Sequence, residues 1–322
     1  MISSMFQAMA LAFIITAIQG PFIIPYLKKL KFGQSIREEG PSWHIKKTGT
    51  PTMGGVMFII SVTISVLLMG VNRYTVALVL GALGFGGIGF IDDFIKVVLK
   101  RNLGLTARQK FISQLIVAAI FCAFVYQFGM ISGQLSLPFI TDTWAMPTML
   151  YLPLLVFVMI GTVNSVNLTD GLDGLATSVT TVVAIFFAIV ACKGGESPVG
   201  FAATVFSAAL VGGCIGFLIF NKHPAKIFMG DTGSLYLGGA LSAVAILLDM
   251  PLYLIIVGGI FMAETLSVIL QVISFKTTGK RIFKMSPLHH HFEMCGWNET
   301  KIVWVFTGIT ALLAIVAYFG KI

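Results

Sequence analysis

Charge is scarce in this chain of 322 residues: only 11% are Asp, Glu, Lys or Arg, against 57% hydrophobic, and mean hydropathy is +0.95. That balance excludes a soluble globular protein, because one core cannot bury so many apolar side chains. Polar linkers, low-complexity tracts and repeats of fixed period are also missing, so residues 1–322 read as one domain. The four cysteines, Cys122, Cys192, Cys214 and Cys295, are scattered without a CxxC spacing, which argues against a disulfide framework or a zinc ribbon. No basic residue precedes the first apolar run and no small-residue cleavage pattern follows it, so that segment is expected to be retained rather than cleaved. Apolar and polar residues do not alternate along the hydrophobic stretches, which excludes a transmembrane barrel.

The apolar runs that are present are about 17 to 23 residues long, enough to cross a hydrocarbon core as helices. Ten are expected, near 5–27, 53–71, 74–91, 109–129, 149–165, 174–191, 200–219, 232–248, 252–274 and 302–319. The fold class is therefore all-α and polytopic, with a small hairpin possible between Ile131 and Trp144. Orientation follows from the 21 basic residues, since Lys and Arg in short loops stay cytoplasmic. Eighteen fall in loops 28–50, 92–110, 221–228 and 275–301, including Lys31, Arg37, Lys46, Lys100 and Arg101; Arg73, Lys193 and Lys321 fall on the other face. Both termini are thus expected outside. The net charge of +8 comes without a nucleic-acid-binding motif, so anionic lipid or phosphate is the expected partner. Acidic residues follow the same asymmetry. Asp142, Glu196 and Asp249 lie on the outer side, Glu264 lies within the ninth span, and the other nine of the 13 are cytoplasmic.

Four polar motifs interrupt the apolar pattern. Asp92 and Asp93 end the third span, where the helix dipole disfavours carboxylates, so a divalent cation or a neighbouring lysine must compensate. Such a pair suits metal binding or general-base chemistry; a solvated helix end balanced by Lys96 is the plainer alternative. Asn164, Asn167, Thr169, Asp170 and Asp173 precede the sixth span, where capping accounts for one Asp but not for so dense a polar patch. Lys226, Phe228, Gly230, Asp231, Thr232 and Gly233 open the eighth span, where glycines and free helix-terminal amides suit a phosphate and an acid beside them suits Mg²⁺. His289, His290 and His291, followed by Glu293, are too compressed for a zinc site on one helix face. As imidazole donors to a phosphate they fit a basic loop containing Arg281 and Lys284, and a merely solvated loop is the alternative. The Gly84, Gly86, Gly89 spacing matches a dinucleotide fingerprint but lies inside an apolar helix, where small residues serve close packing. Glu264 is an acid inside a span and therefore functional by default, unless pairing or a backbone break makes it structural.

These motifs resemble the polyprenyl-phosphate N-acetylhexosamine-1-phosphate transferase superfamily. The likeness runs from Lys47-Thr-Gly-Thr-Pro-Thr52-Met-Gly-Gly through the acidic motifs to Pro-Leu-His289-His-His-Phe, and covers essentially the whole chain. The first and last of these are similar to the phospho-N-acetylmuramoyl-pentapeptide transferase branch in particular. The resemblance implies transfer of phospho-N-acetylmuramoyl-pentapeptide from its UDP carrier to undecaprenyl phosphate, giving lipid I and UMP for peptidoglycan synthesis. It implies Mg²⁺ held by Asp231, with Asp92 and Asp93 as the acids that activate the lipid phosphate. Lys47 (or its neighbour Lys46), Thr52, Asn167, Asp170, Asp173, Asn221, Phe228 and Gln271 resemble nucleotide-side contacts, Phe228 suited to stacking on uracil, with the triple His near the phosphates or sugar. A homodimer in the bacterial plasma membrane, with its active site facing the cytoplasm, is implied as well. Two chemistries remain open: direct attack by the lipid phosphate with Asp92 as base, or a covalent phospho-enzyme on Asp93. Rival functions are a sibling transferase using UDP-N-acetylglucosamine, against which the triple His argues, and an ion-coupled transporter, against which the one-sided acids argue.

Overall fold

The computed structural model describes residues 1–30, 47, 49–97, 104–140, 142–195 and 197–321. Lys31, Arg37, Lys46, Lys100, Arg101 and Glu196 lie outside the described residues. Within them are twelve helices: α1 (Ile2–Lys29), α2 (Gly55–Met69), α3 (Arg73–Val97), α4 (Ala107–Gln127), α5 (Thr148–Thr169), α6 (Leu175–Lys193), α7 (Pro198–Asn221), α8 (Gly230–Leu247), α9 (Leu254–Val257), α10 (Gly259–Thr278), α11 (Leu288–Met294) and α12 (Glu299–Phe319). Eight of them (α1, α3, α4, α5, α6, α7, α10 and α12) are long and apolar enough to cross a membrane. The expected ten requires α2, which has only 15 residues, and α8, which is enclosed by its neighbours. The hairpin is present as β1 (Gln134–Ser136) and β2 (Thr143–Ala145), antiparallel, with Leu135 opposite Trp144.

α8 is the axis of the bundle. Every residue from Thr232 to Leu247 is buried, which its run of Gly, Ala and Ser permits because small side chains let helix backbones approach. It packs against α3 and α5. At the α3 crossing, a Cβ on Gly89 would lie 2.0 Å from the Asp231 carbonyl oxygen, and one on Gly86 would lie 3.2 Å from the Tyr236 ring. The glycine spacing in α3 therefore serves packing, as its place in an apolar helix led one to expect.

The ninth expected span, 252–274, is not one helix. A 3₁₀ turn (Pro251–Tyr253) and α9 end at Gly258, where the chain leaves α-helical geometry at φ −92°, ψ 19° before α10 begins. Two consecutive glycines at 258 and 259 explain the break, since they carry the largest backbone entropy penalty in a helix. α11 also went unforeseen: seven residues are too few for a periodic hydrophobic pattern to show.

The chain ends share one pole of the bundle. Gly212 of α7 meets Met9 of α1, and Gly20 of α1 meets Phe220 of α7, so these helices run parallel from the same end. Lys193, just before α7, donates to the Tyr318 hydroxyl near the C-terminus. Gly320 accepts from the Phe139 amide of the hairpin loop and from the Tyr253 hydroxyl. The starts of α8 and α12 and the ends of α3, α5 and α7 lie at the opposite pole, and the polar motifs gather there.

Gly89→Ala should lower the unfolding temperature in detergent, since overpacking a tight crossing costs roughly 1–3 kcal/mol or more. A wild-type unfolding temperature would show that α3 and α8 do not depend on this approach.

Candidate active site

At that pole Asp93 caps α8 from another helix. Its Oδ2 accepts from the Thr232 amide at 2.8 Å and the Thr232 hydroxyl at 2.6 Å, and its Oδ1 from the Asp231 amide at 3.2 Å. These bonds satisfy donors that a helix start otherwise leaves unpaired, and place a carboxylate at the positive end of the helix dipole. The geometry requires glycine at 230: φ is +71°, and a Cβ there would lie 2.4 Å from Asp93 Oδ2 and 2.8 Å from Thr52 Oγ1. The amides expected to cradle a phosphate are thus already engaged at residues 231 and 232.

Asp92, one residue earlier, is compensated differently. Its Oδ1 accepts from the Leu105 amide at 2.8 Å, and its Oδ2 lies 2.5 Å from Lys96 Nζ. The same ammonium reaches Asp231 Oδ2 at 2.6 Å, where Lys110 Nζ joins it at 3.0 Å. Asn167 donates to Asp231 Oδ1 and to Ser234 Oγ, each at 2.8 Å. Asp92 and Asp93 are almost wholly buried, whereas the Asp231 side chain is 17% exposed and is the accessible member of the trio. One oxygen of each carboxylate lies within 4.8 Å of the other two. If all three are ionised, two lysines leave the cluster one negative charge in excess. Asp170, partly buried nearby, adds to the demand for a cation: burial, then the charges of Asp231, Asp93 and Asp173, hold its carboxyl well above the usual carboxylate range.

A second polar cluster adjoins the first. Lys47 Nζ lies 2.8 Å from Asp173 Oδ1 and 2.7 Å from Glu299 Oε1. Asp173 Oδ2 also accepts from the Ala225 amide and lies 3.0 Å from His223 Nδ1. The segment carrying Lys47 and Thr52 is fixed by backbone pairing, with the Phe228 amide donating to Pro51 and the Gly54 amide to Phe228. Phe228 keeps a partly exposed ring.

Other expected contact residues also tie the protein internally. Asn221 is buried, accepting from Thr177 Oγ1 and donating to the Ile227 carbonyl, so it fixes the turn leading to α8. Gln271 accepts from the Ile282 and Phe283 amides and donates to the Phe283 carbonyl, all at 2.9 Å. The histidines separate by environment. His289 is turned inward: its amide donates to Glu264, its Nδ1 lies 3.1 Å from Glu264 Oε2 as a charge contact rather than an aligned hydrogen bond, and both side chains are fully buried. Its Nε2 faces Gly171, where a Cβ would lie 2.2 Å away. His290 pairs with Glu293 at 2.6 Å, and His291 Nδ1 accepts from the Lys284 amide. Among the three, His289 has the buried ring, which joins Glu264 of α10 to the Asp170–Asp173 loop.

Sequence reasoning missed Lys110, Glu299 and His223 as parts of the site. Lys110 had been counted only as a loop charge. The one signal for Glu299 was its place after Asn298, a helix N-cap whose side chain accepts from the Lys301 amide.

Residues 74–249, more than half the chain, match the family model described as glycosyl transferase family 4. Phospho-N-acetylmuramoyl-pentapeptide-transferases are similar over nearly full length: 50% identity in Thermoanaerobacter sp. strain X514, covering 99% of both chains. In Geobacillus kaustophilus the figure is 51%, over 98% of this chain and 97% of the relative, and in Acetivibrio thermocellus 52%, over 96% and 93%. The chain belongs to the phospho-N-acetylmuramoyl-pentapeptide transferase family. The family match spans α3 to α8 and so contains the whole carboxylate trio, while α10 to α12, which bring Glu264, the triple His and Glu299, come under the full-length similarity.

Glu264→Ala should lower the unfolding temperature, because it leaves His289 facing a buried vacancy at a cost of about 1–3 kcal/mol. Glu264→Gln, which keeps an acceptor for the His289 amide, should recover most of that loss; equal stability of Glu264→Ala and wild type would show that the pair does not anchor α11.

Proposed function

We propose that this protein transfers phospho-N-acetylmuramoyl-pentapeptide from UDP to undecaprenyl phosphate, releasing UMP and forming lipid I, with Mg²⁺ bound at Asp231. The observation that carries the reading is the trio Asp92, Asp93 and Asp231, held with two lysines at one pole of a membrane bundle in a chain half identical to named transferases. That pole faces the cytoplasm, supported by the basic residues gathered in its loops, so the nucleotide substrate arrives from solvent and the lipid phosphate from the bilayer. Ten spans, as the apolar runs suggest, would place both termini outside by the same charge distribution. The family resemblance extends the reading to a homodimer in the plasma membrane.

The residues fit the metal. Carboxylate oxygens are the hard donors Mg²⁺ prefers, the trio when ionised carries one negative charge more than its two lysines balance, and an ammonium already lies between Asp92 and Asp231. Asp231 would hold it as the exposed member, and the ion would neutralise phosphate charge in the transition state. The protein's own groups do the rest. Lys96 and Lys110 bring positive charge to the phosphates, and Asn167 orients Asp231. An oxygen of the lipid phosphate forms a bond to the sugar-bearing phosphorus, the bond from that phosphorus to the bridging oxygen breaks, and UMP departs. Asp92 takes any proton left on the attacking phosphate. Three hydrogen bonds already engage Asp93, which favours this direct route over a phospho-enzyme on Asp93, a buried and fully directed carboxylate being a poor nucleophile. Asp173 and Lys47 remain as the nucleotide-side pair, together with Thr52 and the Phe228 ring.

Purified protein with undecaprenyl phosphate and Mg²⁺ should release UMP from UDP-N-acetylmuramoyl-pentapeptide but not from UDP-N-acetylglucosamine. Chelation should abolish release and added Mg²⁺ restore it, and Asp231→Asn should lower turnover by at least about a hundredfold with an unchanged unfolding temperature. Release from the second donor alone would move the protein to the sibling branch, and near-normal Asp231→Asn turnover would refute the metal assignment.

A further inference from the structure

Beside the triple His, the end of α10, the loop after it and α11 enclose a cavity of about 460 Å³, within the usual range for small-ligand sites. Lys276, Arg281 and Lys284 line it together with Gln271, Phe275 and Met294. Among the described residues none of these three cations lies within ion-pair distance of a carboxylate, in contrast to Lys47, Lys96 and Lys110. All three are exposed, and two of them have neighbours that bias their placement. Lys284 Nζ donates to the Met294 carbonyl at 3.1 Å, Arg281 lies 6.0 Å from the Phe275 ring centroid, and Gln271 clamps the loop backbone at residues 282 and 283. A concave site with three cations that face no carboxylate among the described residues calls for an anion.

The cavity is coupled to the reaction centre. Lys284 donates its amide to His291, and two residues earlier His289 meets Gly171 in the loop that holds Asp170 and Asp173. A ligand there lies on the side of the triple His. A pentapeptide joined to a sugar through its amino end necessarily terminates in a free carboxylate, and a guanidinium fork matches that group in shape and charge. The nucleotide and diphosphate are served by the two clusters already described, which leaves the peptide as the donor's unassigned anionic part. We infer that the cavity lined by Lys276, Arg281 and Lys284 binds the carboxylates of the donor's peptide stem. This rests on the proposed function and assigns a second contact region for the same substrate. It separates the pentapeptide donor from UDP-N-acetylglucosamine, which has no peptide to place there. An anionic lipid headgroup would offer similar charge, and the test distinguishes the two.

UMP release would be measured with the native donor and with one whose peptide carboxylates are converted to primary amides. In wild-type protein amidation should raise KM about tenfold, the scale of one lost charge-assisted contact, with kcat unchanged. Arg281→Ala or Lys276→Ala should raise KM for the native donor by a similar factor and add little to the amidated one, while KM for undecaprenyl phosphate stays put. Equal KM for the two donors in wild-type protein would overturn the assignment without any variant having to fold. A rise only in KM for undecaprenyl phosphate, or in the stimulation by anionic lipid vesicles, would overturn it in favour of a lipid headgroup. No UMP release from the native donor would sink the proposed function itself, a separate outcome.

Discussion

The site depends on Asp93 reaching from α3 to the first amides of α8. One carboxylate satisfies the open end of the innermost helix, and in doing so fixes Asp231, the next residue along, relative to Asp92, the residue before. It tolerates nothing in between: Gly230 must be glycine in both conformation and volume, and Gly89 must let the Asp231 carbonyl approach α3. The two glycines and the aspartate act as one device. Two carboxylates adjacent in sequence receive opposite duties because one faces a helix start and the other faces Lys96.

Around this device the negative charge is left incompletely balanced. A buried carboxylate cluster with matching ammoniums is a structural ion network, and such networks are weak evidence for chemistry. Here Lys96 and Lys110 both converge on Asp231 while Asp170 and Asp93 lie near without a comparable cation, and Asp170 is driven toward its neutral form. The arrangement is suited to one further cation and two incoming phosphates. Lys110 arrives there because α4 starts from a capping box, Thr106 with Gln109, which orients the first turn of that helix toward α8.

Much of the fold was legible because membrane spans declare themselves by length and hydropathy, and the distribution of Lys and Arg set apart the pole where the acids meet. What failed to show had local causes. The interruption at Gly258 lies within a run apolar enough to hide it, and α11 is shorter than the period by which amphipathic helices are recognised. At the site, the acidic residues were legible because acids are rare in such a chain, whereas lysines are common in its loops and carry no individual signal. Lys110 and Glu299 therefore emerged only with the structure. Asn221 and Gln271 carry a role that their place in the motifs did not announce: they bond to Thr177 and to the backbone at residues 227, 282 and 283.

Those internal ties show how the motifs work. Asn221 holds the turn from which Phe228 and Gly230 follow, Gln271 holds the loop that carries Arg281 and Lys284, and Glu264 with His289 holds α11 against Gly171. In each case a buried polar side chain replaces water as the partner of a backbone group or a ring, and in a membrane protein the alternative is an unsatisfied group in a medium that cannot solvate it. The cost of leaving such a bond unmade makes the loops as determinate as the helices. A bundle whose spans are interchangeable in composition can then present carboxylates, lysines and histidines at one pole in a fixed arrangement, because the loops that carry them are tied to buried side chains of the spans.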